Sequence, residues 1–165
     1  DDESLTSCIK ALHEGTMVEK RAAASAILFK STHSMRGAEL AACLDALTSA
    51  LNEPDLRIPA LRALRSLGPK AASTIDALLR QLAADDPYIR CVTLLALEAM
   101  GPSAIKGLAQ GLSDAFPMNV QLAAESLRRM GKHAVFALDE LEEALDSPYA
   151  GVRRTVRESI KHIRN

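Results

Sequence analysis

The 165-residue sequence is poor in aromatic residues: they make up only 3% of the chain, and there is no Trp. Hydrophobic residues still make up 48%, which is enough for a continuous core. That core must therefore be built from Ala, Leu, Ile, Val and Met. Ala and Leu are the strongest helix formers, so the composition points away from β-sheet and toward an all-helical fold.

Strong net charge and long apolar runs are absent as well. The formal net charge is −1, so the molecule as a whole has no strong attraction to nucleic acid or to a membrane surface. No apolar run approaches the roughly 18 residues that span a bilayer, and no signal peptide is visible. We therefore expect a cytoplasmic protein that does not bind membranes.

The sequence also lacks the motifs of metal sites and enzymes. Cys8, Cys43 and Cys91 are odd in number and far apart, without CxxC or Cys/His spacing, and we interpret them as buried free thiols. The single His13-Glu14 pair is interpreted as a solvated helix end. No phosphate loop, nucleophile elbow or paired-carboxylate motif occurs. We therefore predict no catalytic residues, no metal and no cofactor.

What the sequence does contain is an internal repeat, the signature of a stacked architecture. Three segments of the same length each end in a hydrophobic residue followed by glycine: Leu56–Gly68, Ile89–Gly101 and Asn119–Gly131. Val152–Asn165 opens in the same way, and Glu19–Ser31 is a weaker first copy. Each segment has the apolar spacing of a helix, which we name helix B.

A second helix recurs between these segments, and we name it helix A. Ala71–Ala83 and Ala134–Leu145 carry its apolar spacing. Gly68-Pro69 and Gly101-Pro102 fit the end of helix B, while Asp86-Pro87 and Ser147-Pro148 fit the N-cap and first turn of the next helix B. A hairpin of this size cannot bury its apolar face alone, so neighbours must stack. We predict one domain over residues 1–165, with repeats at 3–31, 36–68, 69–101, 102–131 and 132–165.

The residues D-P-Y-I-R at 86–90, S-P-Y-A-G-V-R at 147–153 and L-R at 56–57 resemble the HEAT repeat. The resemblance is closest to the bacterial phycobilisome-lyase-type HEAT-like repeat. It implies a right-handed α-α superhelix, an α-solenoid of about five hairpins whose B helices line a concave surface. It also implies an Asp–Arg ladder between neighbouring repeats, here Asp55/Arg57, Asp86/Arg90 and Asp146/Arg153. Val120 takes the Arg position in the fourth repeat, so we expect an interruption there.

Charge is divided unequally between the two kinds of helix. The stretches assigned to helix A (1–16, 31–54, 68–86, 101–116 and 131–148) hold 6 cations and 16 anions, whereas the remainder holds 14 cations and 5 anions. The resemblance then implies a basic inner face and an acidic outer face. Two explanations stay open. The cations could be used by the ladder and by helix C-termini, or an anionic partner could lie in the groove.

Helical register predicts which side chains of helix B point into the groove. They mix Arg with apolar groups, a composition that suits a protein segment better than a phosphate backbone, and aromatic residues that could stack on bases are missing. These positions are Arg21, Ser25, Leu28, Ile58, Arg62, Arg65, Cys91, Leu95, Glu98, Gln121, Glu125, Arg128, Arg129, Arg154, Glu158 and Lys161.

We therefore predict a protein–protein interaction scaffold that binds an acidic or amphipathic protein segment in this groove. The alternatives are nucleic-acid binding through the basic concave face and a bilin-lyase-like role. The predicted partner-binding residues are Arg62, Arg65, Leu95, Gln121, Arg128, Arg129 and Arg154.

Overall fold

The computed structural model describes residues 2–29 and 35–165, and the side chains of residues 6–27 and 35–165. Every regular element in these residues is helical. The α-helices are α1 (Asp2–Glu14), α2 (Met17–Phe29), α3 (Gly37–Ala50), α4 (Pro54–Leu67), α5 (Ile75–Gln81), α6 (Pro87–Ala99), α7 (Ile105–Gln110), α8 (Pro117–Met130), α9 (Leu138–Glu143) and α10 (Ala150–Arg164). Short 3₁₀ helices occupy Gly68–Thr74, Gly101–Ala104, Gly111–Ser113, Gly131–Ala137 and Ala144–Asp146.

The helices form five consecutive hairpins, each an A helix followed by a B helix. The B helices are α2, α4, α6, α8 and α10, and each begins within two residues of its predicted start. Consecutive B helices pack against each other, as do the A helices on the opposite side. The predicted all-α, right-handed superhelix of about five hairpins is confirmed. The single domain over residues 1–165 stays a prediction, and the boundary between the first two repeats falls on residues 30–34, outside the described residues.

Glycine ends three of the B helices as the sequence predicts. Gly68, Gly101 and Gly131 have φ of 57°, 76° and 54°, the left-handed region in which glycine meets no Cβ penalty. In these three repeats the next A helix starts as a 3₁₀ turn, which the sequence did not predict. Each turn places one small side chain in the core: Ala71, Ala104 and Ala134 are all fully buried.

The predicted N-cap of the last B helix, Ser147, was wrong. Asp86 does cap α6, because its carboxylate accepts a hydrogen bond from the backbone N–H of Tyr88 at 2.8 Å. In contrast, α10 begins at Ala150 with Tyr149 as its N-cap, so Ser147-Pro148 lies before the helix. The Ser147 hydroxyl still accepts a hydrogen bond, at 3.4 Å, from the backbone N–H of Tyr149. The serine therefore shapes the turn rather than the helix.

The recurring arginine near the start of helix B binds backbone carbonyls of its own repeat. Arg57, Arg90 and Arg153 each donate to the carbonyl oxygen six residues earlier, at distances of 3.1, 2.7 and 2.7 Å. These carbonyls lie at the end of helix A, where backbone acceptors have no helical donor. The predicted Asp55/Arg57, Asp86/Arg90 and Asp146/Arg153 pairs are wrong, since none of them forms a salt bridge within the described residues. In each case the guanidinium donates to the backbone of the turn instead.

Salt bridges between repeats use other carboxylates. The Arg90 guanidinium makes two hydrogen bonds, of 2.7 and 2.8 Å, to Asp114 in the next repeat. Lys20 occupies the equivalent position in the first repeat and contacts Glu53 at 3.0 Å. Asp114 also accepts hydrogen bonds from the backbone N–H of Phe116 and the amide of Asn119, at 2.8 and 3.0 Å. The fourth repeat therefore takes part in the ladder as an acceptor, although Val120 cannot donate.

Candidate functional site

The B helices present one continuous surface, which we call the B-helix face. On each B helix, residues spaced by three, four and three positions share a side because the helix turns once every 3.6 residues. The described side chains of this face are Val18, Arg21 and Ser25 on α2; Asp55, Ile58, Arg62 and Arg65 on α4; Tyr88, Cys91, Leu95 and Glu98 on α6; Met118, Gln121, Glu125 and Arg128 on α8; and Arg154, Glu158 and Lys161 on α10.

Three of the predicted contact residues are exposed cations that form no salt bridge among the described residues: Arg62, Arg65 and Arg154. Arg65 and Arg154 also make no hydrogen bond there. The Arg62 guanidinium donates a hydrogen bond of 2.8 Å to the hydroxyl of Tyr88 in the next repeat. This bond joins a cation and an aromatic ring across two neighbouring B helices. Arg62, Arg65 and Tyr88 together form a positively charged surface with an apolar component.

Two other predicted contact residues, Arg128 and Arg129, are already paired with carboxylates of the same face. Arg128 binds Glu125 at 2.5 and 2.9 Å, and Arg129 binds Glu98 at 2.5 Å. The hydrogen bond from Arg128 outweighs burial and holds the pKa of the Glu125 carboxyl below its ordinary value. The Ser126 hydroxyl donates to Glu98 at 2.9 Å and completes a network across α6 and α8. This part of the face is close to neutral, which a sum of charges along the sequence does not reveal.

The two uncharged predicted residues, Leu95 and Gln121, are half-buried on the same face. Gln121 reaches the next repeat, where its side-chain nitrogen lies 2.7 Å from the position that a Cβ of Gly151 would occupy. The glycine therefore leaves room for Gln121 between α8 and α10. Leu28 was also predicted in this surface, and its side chain lies outside the described part of the chain.

The predicted surface did not include the residues of the B-helix face that lie in the first turn of α2, α6 and α8. Tyr88 and Met118 are 48% and 66% exposed, and Val18 is 76% exposed. They sit one turn before Cys91, Gln121 and Arg21 in the same register. The repeated segments in the sequence began at Ile89 and Asn119, one residue after Tyr88 and Met118, so the predicted surface left these two residues out. The statement that no aromatic residue lies in this surface is therefore wrong, and extending the same register back by one turn would have found all three residues.

The cysteines differ in burial more than predicted. Cys43 is buried, whereas Cys8 and Cys91 are half-buried. Burial raises the pKa of the Cys91 thiol, and the neighbouring Arg65 guanidinium offsets only part of this effect. A cationic neighbour that the sequence did not predict is thus present, but the thiol keeps its proton at neutral pH. Burial also raises the pKa of Cys43 to about 11.

We expect Cys43 to be protected from alkylation in the folded protein. Only the thiolate reacts, and a pKa of about 11 leaves Cys43 with about one-hundredth or less of the thiolate that a free cysteine has at neutral pH. Iodoacetamide labelling followed by mass spectrometry should therefore show at least about 100-fold slower modification of Cys43 in native buffer than in urea. Equal rates in the two conditions would show that the α3 core around Cys43 opens freely.

The described residues contain no group of three or more His, Cys, Asp or Glu side chains placed to hold a metal ion. Within the same residues, no helix combines the length and the hydropathy needed to span a bilayer.

Comparisons with known proteins agree with this geometry. The family model described as HEAT repeats matches residues 75–161. No curated protein sequence matches the chain. Among solved structures, the fold is similar to that of a designed armadillo repeat protein in complex with the peptide (KR)4, at a TM-score of 0.68 and 15% identity over 96% of this chain and 81% of that one. It is also similar to an engineered protein, at a TM-score of 0.55 and 15% identity over 97% of this chain and 96% of the other.

Proposed function

This chain belongs to the HEAT repeat family, and from that premise we propose that it is a protein-interaction scaffold whose B-helix face binds an acidic, amphipathic segment of a partner protein. The observation that carries the proposal is the cluster of Arg62, Arg65 and Tyr88. It presents two cations that pair with no carboxylate of the described residues, beside an exposed aromatic ring. Arg and Tyr are enriched where protein interfaces gain most of their binding energy.

The proposed contacts divide the face into two parts. Arg62, Arg65 and Arg154 are available to pair with carboxylates of a partner, while Leu95, Tyr88 and Met118 offer apolar surface to the other side of an amphipathic segment. Gln121 can donate to and accept from a peptide backbone. Arg128 and Arg129 would contribute less, because a partner must first compete with Glu125 and Glu98.

The designed armadillo protein provides a useful contrast. Its complex contains a peptide of Lys and Arg residues, so a stack of helical repeats can hold a charged peptide. The B-helix face should prefer the opposite charge, because the cations at its exposed described positions outnumber the carboxylates. The cations are Arg21, Arg62, Arg65, Arg154 and Lys161, and the carboxylates are Asp55 and Glu158. The apolar side chains of Leu95, Tyr88 and Met118 lie among the cations of this face, which favours an amphipathic protein segment over a phosphate backbone. We also propose that the protein is cytoplasmic, consists of a single domain and has no enzymatic activity. The likeness to phycobilisome-lyase-type repeats stays a prediction.

We expect Arg62→Glu/Arg65→Glu to weaken binding of an acidic amphipathic peptide, built from Leu and Glu, by about 30-fold or more. That is the effect of losing a major interface contact. The matched control is Arg36→Glu/Arg80→Glu, which makes the same charge change at exposed positions on the A-helix side. Fluorescence anisotropy measures the affinities, and circular dichroism confirms that both double variants fold.

The same titration separates the alternatives. Arg62→Glu/Arg65→Glu should not weaken the binding of a Leu/Lys peptide. A single-stranded oligonucleotide that binds more tightly than the Leu/Glu peptide, with an affinity that falls steeply between low and moderate salt, would favour nucleic acid instead. Equal weakening by both double variants would mean that only net charge matters and would sink the proposal.

A further inference from the structure

A second groove runs between the A helices of the fourth and fifth repeats, away from the B-helix face. One part has a volume of about 540 Å³ and is lined by residues that include Ile105, Ala109, Phe136 and Glu140. The adjoining part, of about 410 Å³, is lined by residues that include Leu112, Glu140 and Tyr149. Glu140 lines both parts, and we call the two together the inter-repeat groove.

Phe136 is the most unusual residue of this groove because 89% of its surface is exposed. Alignment on the buried alanines Ala71, Ala104 and Ala134 places Ser73 and Lys106 at the same position in the two preceding repeats. The fold therefore accepts a polar residue there and does not require an aromatic one. At the far end of the groove Tyr149 is also exposed, at 54%. Large apolar side chains left in a groove are typical of interaction sites.

The charge along the groove is mostly negative. Phe136, Glu140 and Glu143 are spaced by four and three residues and all line the groove. Neither carboxylate forms a salt bridge with another described residue, in contrast to Glu142, which pairs with Arg164. One cation, Lys106, lines the groove near Phe136, beside His133. The carboxylates therefore dominate its middle and its Tyr149 end.

We propose that the inter-repeat groove is a second docking surface and that it binds a basic segment of a partner protein in which an apolar residue stands next to Lys or Arg. The apolar side chain packs on Phe136, Ile105 and Ala109, while the cations face Glu140 and Glu143. A cation over the Tyr149 ring adds to the attraction. This site is independent of the proposed function, because it uses other residues, the opposite charge and the other layer of the molecule.

The test uses the full chain and a short peptide of alternating leucine and lysine pairs. We expect Phe136→Ser to weaken its binding about 10-fold, and Glu140→Lys/Glu143→Lys to weaken it by 10-fold or more. Phe136→Ser introduces the residue of the third repeat at a highly exposed position, so the melting temperature should not fall. The control is Asp45→Lys/Asp76→Lys, with the same charge change at exposed positions on other A helices, and it should bind normally.

Chemical-shift perturbation gives the location. In the wild-type protein the peptide should shift the amide signals of Phe136, Glu140 and Tyr149 and leave those of Arg62 and Tyr88 unchanged. Equal weakening by the control variant, or equal binding of a peptide with serine in place of leucine, would overturn the proposal. So would a concentration-dependent dimer that Phe136→Ser dissociates, because the occupant of the groove would then be a second copy of this chain.

Discussion

Replacing Asp114 by alanine is expected to lower the free energy of unfolding by about 3–5 kcal/mol, the usual cost of removing one partner from a buried ion pair. The Asp114 side chain is only 5% exposed and that of Arg90 is 15% exposed. The substitution leaves Nε and Nη2 of Arg90 without an acceptor and removes one of the two acceptors of the Asn119 amide. It also removes the bond to the backbone N–H of Phe116. Urea denaturation followed by circular dichroism measures the loss.

A surface pair provides the control for this prediction. Glu142→Ala breaks the exposed pair with Arg164 and should cost less than about 1 kcal/mol. If both variants lose the same small amount, the Arg90–Asp114 pair does not hold the third and fourth repeats together.

The dependence of the free energy of unfolding on acid pH provides a second test of the Asp114 site. Burial alone would raise the pKa of Asp114, but the hydrogen bonds from Arg90, Phe116 and Asn119 outweigh it and hold the pKa below its ordinary value. The folded state therefore favours the ionised form. The contribution of Asp114 to the free energy of unfolding is complete above the pKa of an Asp in the unfolded chain, about 3.9. It is lost as the pH falls through the lower pKa that Asp114 has in the folded state. In Asp114→Asn the free energy of unfolding should therefore change less with pH over this range.

Removing the side chain of Leu94 should also have a large effect. Leu94→Ala empties a fully buried position of α6, which costs about 2.7–5 kcal/mol in comparable cores. The leucine packs over Gly111: a Cβ added to Gly111 would lie 2.5 Å from Leu94 Cδ2 and 3.0 Å from the Cβ of Ala123. Gly111→Ala alone should therefore cost about 1–3 kcal/mol through overpacking.

The two substitutions should not add. In the double variant the shortened side chain at position 94 leaves space for the new methyl group, so the combined loss should be smaller than the sum by about 0.5–3 kcal/mol. Gly131→Ala is the control partner, because its added methyl meets no atom within 4 Å and only backbone strain remains. Leu94→Ala with Gly131→Ala should be additive. Additivity in the first pair would mean that the backbone moves to absorb the clash.

Most of the fold could be predicted from the sequence because it depends on spacing along one chain. The apolar period and the glycines Gly68, Gly101 and Gly131 identify the B helices within two residues. The polar links between repeats could not be predicted in the same way. Asp114 lies in a turn, and only the stacking of repeats brings it to Arg90, 24 residues earlier in the chain. A pattern within one repeat cannot identify a partner in the next.

The candidate site was predicted in part for the same reason. Register placed Arg62, Arg65, Leu95, Gln121 and Arg154 on one face, and the structure agrees with that register. Whether a given arginine is available depends on side chains of neighbouring helices. Arg129 meets Glu98 from a position 31 residues away, and no local pattern distinguishes it from Arg65. An error of one or two residues in the helix starts was enough to hide Tyr88 and Met118.

The bonds of Arg57, Arg90 and Arg153 to carbonyl oxygens within their own hairpins have a consequence for how such a chain can grow. Each of these hairpins closes its A–B turn with a donor that it carries itself. A gene duplication that copies one whole hairpin would thus copy a finished turn along with it. The apolar sides and the pairs between repeats, such as Arg90–Asp114, would still have to match. The length of the stack is free to vary in units of one hairpin.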